Sequence, residues 1–150
     1  MDWNNISNVP QFSLEGLETE AKIYSVYDGD TVKAIFPLHD KLYKWNCRLT
    51  GVDTPELRTR CKIEKQFGYK VRDLLREKIL NNVVKIKCGD FDKYGRLLVE
   101  IYCNEDNCNV NKWLVDNNYA FSYDGGTKKS WKNYLENNVE NNVENNVENN

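Results

Sequence analysis

Apolar and polar residues alternate from Ala21 to Phe36, first in Ala-Lys-Ile-Tyr-Ser-Val-Tyr and again in Thr-Val-Lys-Ala-Ile-Phe, with Asp28-Gly29-Asp30 between the two runs. A period of two predicts strands with one buried face, and an acidic glycine turn predicts that they are neighbours. A third strand is expected over Leu42 to Val52, after a short Pro-Leu-His-Asp connection. The period then changes. From Glu64 to Leu80 the apolar residues Phe67, Val71, Leu74, Leu75 and Ile79 fall on one side of a helix. Strands return at Val83 to Cys88 and Leu97 to Cys103, with a turn at Tyr94-Gly95 between them. A second helix fits Asn109 to Asn117, burying Val110, Trp113 and Leu114, and a third, short one fits Lys128 to Leu135. Three strands, a helix, two strands and a helix describe an α+β domain over residues 19–135, a five-stranded OB-fold β-barrel with about three flanking helices.

The ends of the chain lack such periods. Residues 1–18 read as an irregular arm. From Glu136 the sequence repeats Glu-Asn-Asn-Val, and its valines (Val139, Val143, Val147) drift around a helix instead of forming a stripe. One small apolar residue in four buries too little surface to offset ordering entropy, so residues 136–150 are expected to be disordered low-complexity sequence. A short partner-binding helix is the alternative for this tail.

Composition narrows the function classes. No apolar run is long enough to cross a bilayer, so no membrane role is expected. Met1-Asp2-Trp3-Asn4-Asn5 has neither the basic start nor the apolar stretch of a signal peptide. Five cysteines, an odd number, suit free thiols in a reducing compartment, and the expected location is intracellular and cytoplasmic. Cys103 and Cys108 do not have zinc-knuckle spacing, and His39 is the one histidine; Cys88 and Cys103 are expected to pack as small apolar residues. The net charge of −2 includes Glu136, Glu140, Glu144 and Glu148 in the tail. Removing those four from 23 acids leaves 19, against 21 basic residues, a balance that permits nucleic-acid binding without requiring it.

Chemistry concentrates at three places. In Asp28-Gly29-Asp30-Thr31, glycine permits a sharp turn that brings two carboxylates together. In Val52-Asp53-Thr54-Pro55-Glu56, two acids flank a stiffening proline at the expected exit of the third strand. Either alone is equally an ordinary turn or strand end. Together they gather three or four carboxylates and the Thr54 carbonyl, hard oxygen donors suited to Ca²⁺ or Mg²⁺. Arg48, placed on the same expected strand as Asp53, and Arg96, after the turn Asp92-Lys93-Tyr94-Gly95, carry planar forks of N–H donors that match phosphate oxygens.

These three motifs, in this order, resemble the staphylococcal nuclease (thermonuclease) family, and the similarity extends from about Ala21 to Trp131. The resemblance implies an endonuclease that uses one calcium ion to cleave DNA and/or RNA by in-line attack of water, leaving 3′-phosphate and 5′-hydroxyl ends. It implies Asp30, Asp53 and the Thr54 carbonyl as metal ligands, with Asp28 behind them as an outer-shell acid. Glu56 is implied to engage the attacking water, and Arg48 and Arg96 to clamp the scissile phosphate. Lys93, Tyr94 and Tyr123 correspond to substrate-binding positions, with both tyrosines equally readable as half-buried aromatics. The basic loop with Arg58, Arg60 and Lys62 departs from the best-known member, as do the lengths of the connections. Single-stranded regions are the expected substrate and a monomer the expected state. A non-catalytic nucleic-acid or protein binding module is the competing reading, because the same fold occurs in domains that have lost these residues; here the set is intact.

Overall fold

In the computed structural model, which describes residues 1–138, the alternating segments become β1 (Glu18–Val26), β2 (Thr31–Leu38) and β3 (Lys41–Leu49). Each turns its apolar residues inward: Ala21, Ile23 and Val26, then Val32, Ala34 and Phe36, then Cys47 and Leu49 are buried. β3 stops at Leu49, short of the expected Val52. Gly51 adopts a φ of 79°, which breaks the extended run, and Val52–Asp53 become a separate strand, β4. Arg48 and Asp53 therefore lie on different strands.

The chain continues through α1 (Lys62–Ile79), β5 (Val83–Phe91), β6 (Leu97–Cys103), α2 (Val110–Asp116), β7 (Phe121–Ser122) and a helix over 131–138, α3. The barrel closes in the order β1-β2-β3-β6-β5, with β3 and β6 parallel and every other pair antiparallel. This is the five-stranded OB-fold barrel with three helices that the pattern predicts. β4 pairs with β7 as a two-stranded sheet, which the sequence pattern does not reveal because each strand has only two residues.

One core fills the barrel. Val71, Leu75 and Ile79 of α1 and Val110 and Leu114 of α2 pack onto it. Asn111 is buried between α2 and the barrel, where its Nδ2 donates to the carbonyls of Thr50 (2.8 Å) and Val99 (3.0 Å) and its Oδ1 accepts from Ile101 N (3.1 Å). That one amide fixes α2 to β6 and to the turn after β3. Phe67, Phe121, Trp131 and Tyr134 form an aromatic cluster, with Phe121 and Trp131 stacked at 3.9 Å, which anchors α3 and the segment preceding it.

The thiols are free; Cys47 and Cys88 lie in the core, where burial pushes them up to about 12 and about 11, and Cys103 packs half-buried against it. The N-terminal arm has one 3₁₀ turn, Ile6–Asn8, and is tied down only at its end: Leu14 is buried, Gly16 N donates to Cys88 O and Cys88 N donates to Leu17 O. Of the expected low-complexity tail, residues 136–138 continue α3, and residues 139–150 lie outside the described part. Among the described residues no helix is long and apolar enough to cross a membrane.

Candidate active site

The two acidic segments meet because their side chains and backbones are sized to do so. Asp28 Oδ1 accepts from Asp30 N (3.1 Å) and Thr31 N (2.9 Å), which closes the β1–β2 turn around its own carboxylate. Thr31 Oγ1 donates to Asp30 Oδ1 (3.1 Å), and Asp30 Oδ2 faces Thr54 N at 3.5 Å, at the limit of a hydrogen bond. A Cβ on Gly29 would lie 2.7 Å from Thr54 Cβ, so only glycine lets the turns come this close. Gly68 of α1 does the same on the other side. A Cβ there would sit 3.1 Å from the carbonyls of Pro55 and Glu56. Glu64 Oε2 then accepts from Glu56 N at 2.8 Å and holds the loop against the first turn of α1.

Asp28, Asp30, Asp53 and Thr54 are all buried, and crowded carboxylates resist ionisation. Burial, and next the charge of Asp30, push Asp28 up to about 7. Asp53 is raised by burial and by Asp30, with Lys128 and Arg48 opposing the rise. Glu56 is raised by burial first and by Asp30 second, again opposed by Lys128. In all three, burial is the largest cause, and the charge of Asp30 adds to it.

Arg48 closes one side. Its Nη1 donates to Leu49 O (2.9 Å) and its Nη2 to Val52 O (3.0 Å), and Nη2 stands 3.5 Å from Asp30 Oδ2. The guanidinium therefore ties the end of β3 to β4 while facing the acids. Arg96 is held by Asp92, whose Oδ2 accepts from Arg96 Nε at 2.8 Å and whose Oδ1 accepts from the backbone N–H groups of Tyr94 and Arg96, both at 2.9 Å. Gly95, at φ 82°, completes the turn. Burial raises Asp92, but these N–H bonds and the guanidinium outweigh it and hold the carboxyl below its ordinary value.

Two tyrosine rings flank the arginines. Tyr94, largely exposed, lies 5.2 Å from Lys93 Nζ and 5.5 Å from the Arg96 guanidinium carbon. Tyr123 lies 5.9 Å from the Arg48 guanidinium carbon and 5.5 Å from Lys128 Nζ, with its hydroxyl donating to Gly126 O (3.0 Å). Lys128 also approaches Asp53 Oδ1 (3.5 Å) and Glu56 Oε1 (3.9 Å), so one ammonium links both acids of the second segment.

Asp28, Asp30, Arg48, Glu56, Arg96 and Lys128 line one cleft of about 380 Å³ together with Tyr27 and Arg58. An adjoining hollow of about 630 Å³ shares Arg48, Arg96 and Lys128 and adds Lys93, Tyr94 and Tyr123. These two hollows take in Asp28, Asp30, Arg48, Glu56, Lys93, Tyr94, Arg96 and Tyr123, while Asp53 opens onto a third depression beside Phe121 and Tyr123 and Thr54 is buried behind the Asp30 turn. Two participants were not singled out. Asp92 has a legible signal, an acid opening an Asp-Lys-Tyr-Gly-Arg turn; Lys128, in Gly-Gly-Thr-Lys-Lys, has almost none.

The donors suit a hard divalent cation. Asp30 and Asp53 are buried carboxylates on adjoining segments, and Thr54 Oγ1 is buried without a hydrogen-bond partner. Among the described residues no three His, Cys, Asp or Glu side chains gather closely enough to hold an ion by themselves. Thr54 directly follows Asp53, so its hydroxyl and its main-chain carbonyl belong to the same segment as one of the two acids.

Residues 46–146 match the family described as staphylococcal nuclease homologue. The match begins within β3, leaving Asp28 and Asp30 outside it. An uncharacterized protein of Methanocaldococcus jannaschii is 33% identical over 68% of this chain and 58% of its own length. An uncharacterized endonuclease of Escherichia coli is 25% identical over 71% of this chain and 63% of its own. A protein of Oryza sativa subsp. japonica named "Probable staphylococcal-like nuclease" is 31% identical over 53% of this chain and 19% of its own. The chain spans less than two thirds of the length of each of these relatives.

Proposed function

This chain belongs to the staphylococcal nuclease homologue family, and from that premise we propose that it is a calcium-dependent endonuclease cleaving DNA and/or RNA with little sequence preference. The observation that carries this reading is the shared cleft of about 380 Å³, which is lined by Arg48 and Arg96 together with Asp28, Asp30 and Glu56. Asp30, Asp53 and the Thr54 carbonyl would hold the cation, with Asp28 fixing the Asp30 turn from behind. A bound calcium ion supplies positive charge to a non-bridging phosphate oxygen.

The chain's own residues supply the remainder. Arg48 and Arg96 donate N–H bonds to phosphate oxygens, and these strengthen as negative charge builds in the transition state. Glu56 accepts a proton from the attacking water or orients it by a hydrogen bond. Attack in line expels the 5′ oxygen, leaving 3′-phosphate and 5′-hydroxyl ends. Lys93 and Tyr94 on one side and Tyr123 on the other contact the flanking phosphate and nucleobases, and ring stacking accepts any base.

Digestion of single-stranded DNA and RNA with calcium or with chelator, for the native chain and Glu56→Gln, tests the proposal. We expect calcium-dependent shortening that Glu56→Gln reduces roughly 100-fold or more, the scale of losing a positioned general base. Retarded but uncut strands with the native chain in calcium would instead identify a binding module.

A further inference from the structure

We propose that the outward face of β1–β2–β3 is a backbone-binding track that leads a single nucleic-acid strand out of the cleft, carried by Lys33, Lys44 and Lys22 beyond Arg48. This extends the nuclease reading and rests on it for the identity of the strand.

Charge is segregated on the β2–β3 part of this face although the whole chain is net negative, while β1 carries Glu18 and Glu20 before Lys22, opposite the lysines of β5. β2 and β3 contain Lys33, Lys41, Lys44 and Arg48 and not one acid. Register places three of these on one surface: Thr31 pairs with Arg48, Lys33 with Asn46 and Ile35 with Lys44, while Ser25 and Lys22 of β1 flank Lys33 and Ile35. The intervening residues Val32, Ala34, Phe36 and Cys47 point into the core, so the paired set points out. The first rung, Thr31 with Arg48, already lines the cleft. Each further rung is about 7 Å along the strand, a step close to the separation of successive phosphates in an extended single strand.

Lys22, Lys33, Lys44 and Asn46 are exposed, and among the described residues none of the three lysine ammoniums reaches a carboxylate or makes a side-chain hydrogen bond. The contrast is β5, whose Lys85 and Lys87 stand opposite Glu20 and Glu18 across the sheet. Lysines on β5 stand opposite acids in the register without closing to an ion pair; those on β2 and β3 face no acid, and unopposed cations in adjacent rungs repel. Tyr24 adds a ring on the same face, 5.6 Å from Lys44 Nζ, where a base can stack beside a held phosphate. A duplex fits less well, because its second strand carries phosphates that meet no cations here.

The test is fluorescence anisotropy in chelator with fluorescein-labelled oligothymidylate of about 16 nucleotides, the upper site size of an OB-fold. The full chain is compared with Lys33→Gln/Lys44→Gln and with Lys85→Gln/Lys87→Gln, which removes the same charge from β5. We expect the first variant to bind about tenfold more weakly at low salt, with a log–log salt slope shallower by about 1.4, and the second to bind as the native chain does. In calcium, the first variant should cut a dinucleotide substrate at the native rate and the long strand more slowly. Equal affinity and slope for the native chain and the first variant would overturn the track, as would an equal loss in the β5 variant, or a duplex that binds as tightly as the single strand. If none of the proteins cuts nucleic acid but the anisotropy difference stands, the nuclease reading fails and the track survives.

Discussion

Asp92 shows how a single carboxylate can set the direction of a cation. Its three accepted bonds, two from backbone N–H groups and one from Arg96 Nε, aim the guanidinium toward the cleft. Asp92→Ala should cost about 1–3 kcal/mol in stability at neutral pH and lower the turnover of nucleic acid, as Arg96 loses its orientation. The sign of the pH dependence follows from the lowered carboxyl. The group is less protonated when folded, so its stabilisation is complete above the ordinary carboxylate pKa and is lost as pH falls through the lower folded value. Thermal melts across the acid range should show native and variant converging there; a gap that stays constant would rule out the ionised Asp92 as its source. Lys128 makes the opposite kind of contact, an ammonium placed against Asp53 and Glu56. In chelator, Lys128→Met should lower the melting temperature by a few degrees, because the raised acids lose an opposing charge. Calcium should then shift the variant's melting temperature further than the native chain's, since the ion no longer competes with an ammonium. Equal shifts would show that Lys128 and the cation do not share the acids.

At the scale of elements, the site depends on where strands stop. β3 ends at Leu49, Thr50-Gly51 turn the chain, and β4 begins a new sheet with β7. Asn111 fixes that turn by donating to Thr50 O, and it reaches β6 with the same amide group. Replacing it with alanine leaves the Thr50 carbonyl, the buried Val99 carbonyl and the buried Ile101 N–H without this partner. We expect a loss of about 2–4 kcal/mol, read from urea midpoints, together with a fall in turnover, because Arg48 is bonded to Leu49 O and Val52 O on either side of the turn. A variant with native midpoint would mean that the turn is held by its own backbone.

The whole molecule joins its two acidic segments through one core. Asp30 belongs to the β1–β2 turn and Asp53 to β4, and both are positioned by a barrel whose closure pairs the first strand with the fifth. Ile23 sits at that closure, fully buried, with its carbonyl accepting from Asn81 N and its N–H donating to Asn82 O just after α1. Ile23→Ala should cost about 2–5 kcal/mol. Tryptophan fluorescence and residual activity should be lost at the same urea concentration, since the site has no support apart from the barrel. Activity that disappears well before the fluorescence change would show a separately unfolding site.

By itself, the sequence determined the barrel and the chemical character of its site. Alternation in β1, β2 and β6 and helical spacing in α1 are local consequences of which faces are buried, and Asp28-Gly29-Asp30-Thr31 and Asp92-Lys93-Tyr94-Gly95-Arg96 are turns whose residues state their own geometry. What remained for the tertiary structure was every relation between segments distant in the chain. Gly51 breaks the extended run locally, but the assignment of Val52–Asp53 to a second sheet follows from pairing with β7, some 70 residues further on. The contact of Gly29 with Thr54 and the reach of Lys128 to Asp53 and Glu56 depend on how turns are stacked by the closed barrel. Pattern reports which side of a strand is buried; only the closed structure decides which turns share a space, because that is set by strand order and register and not by any residue's own preference.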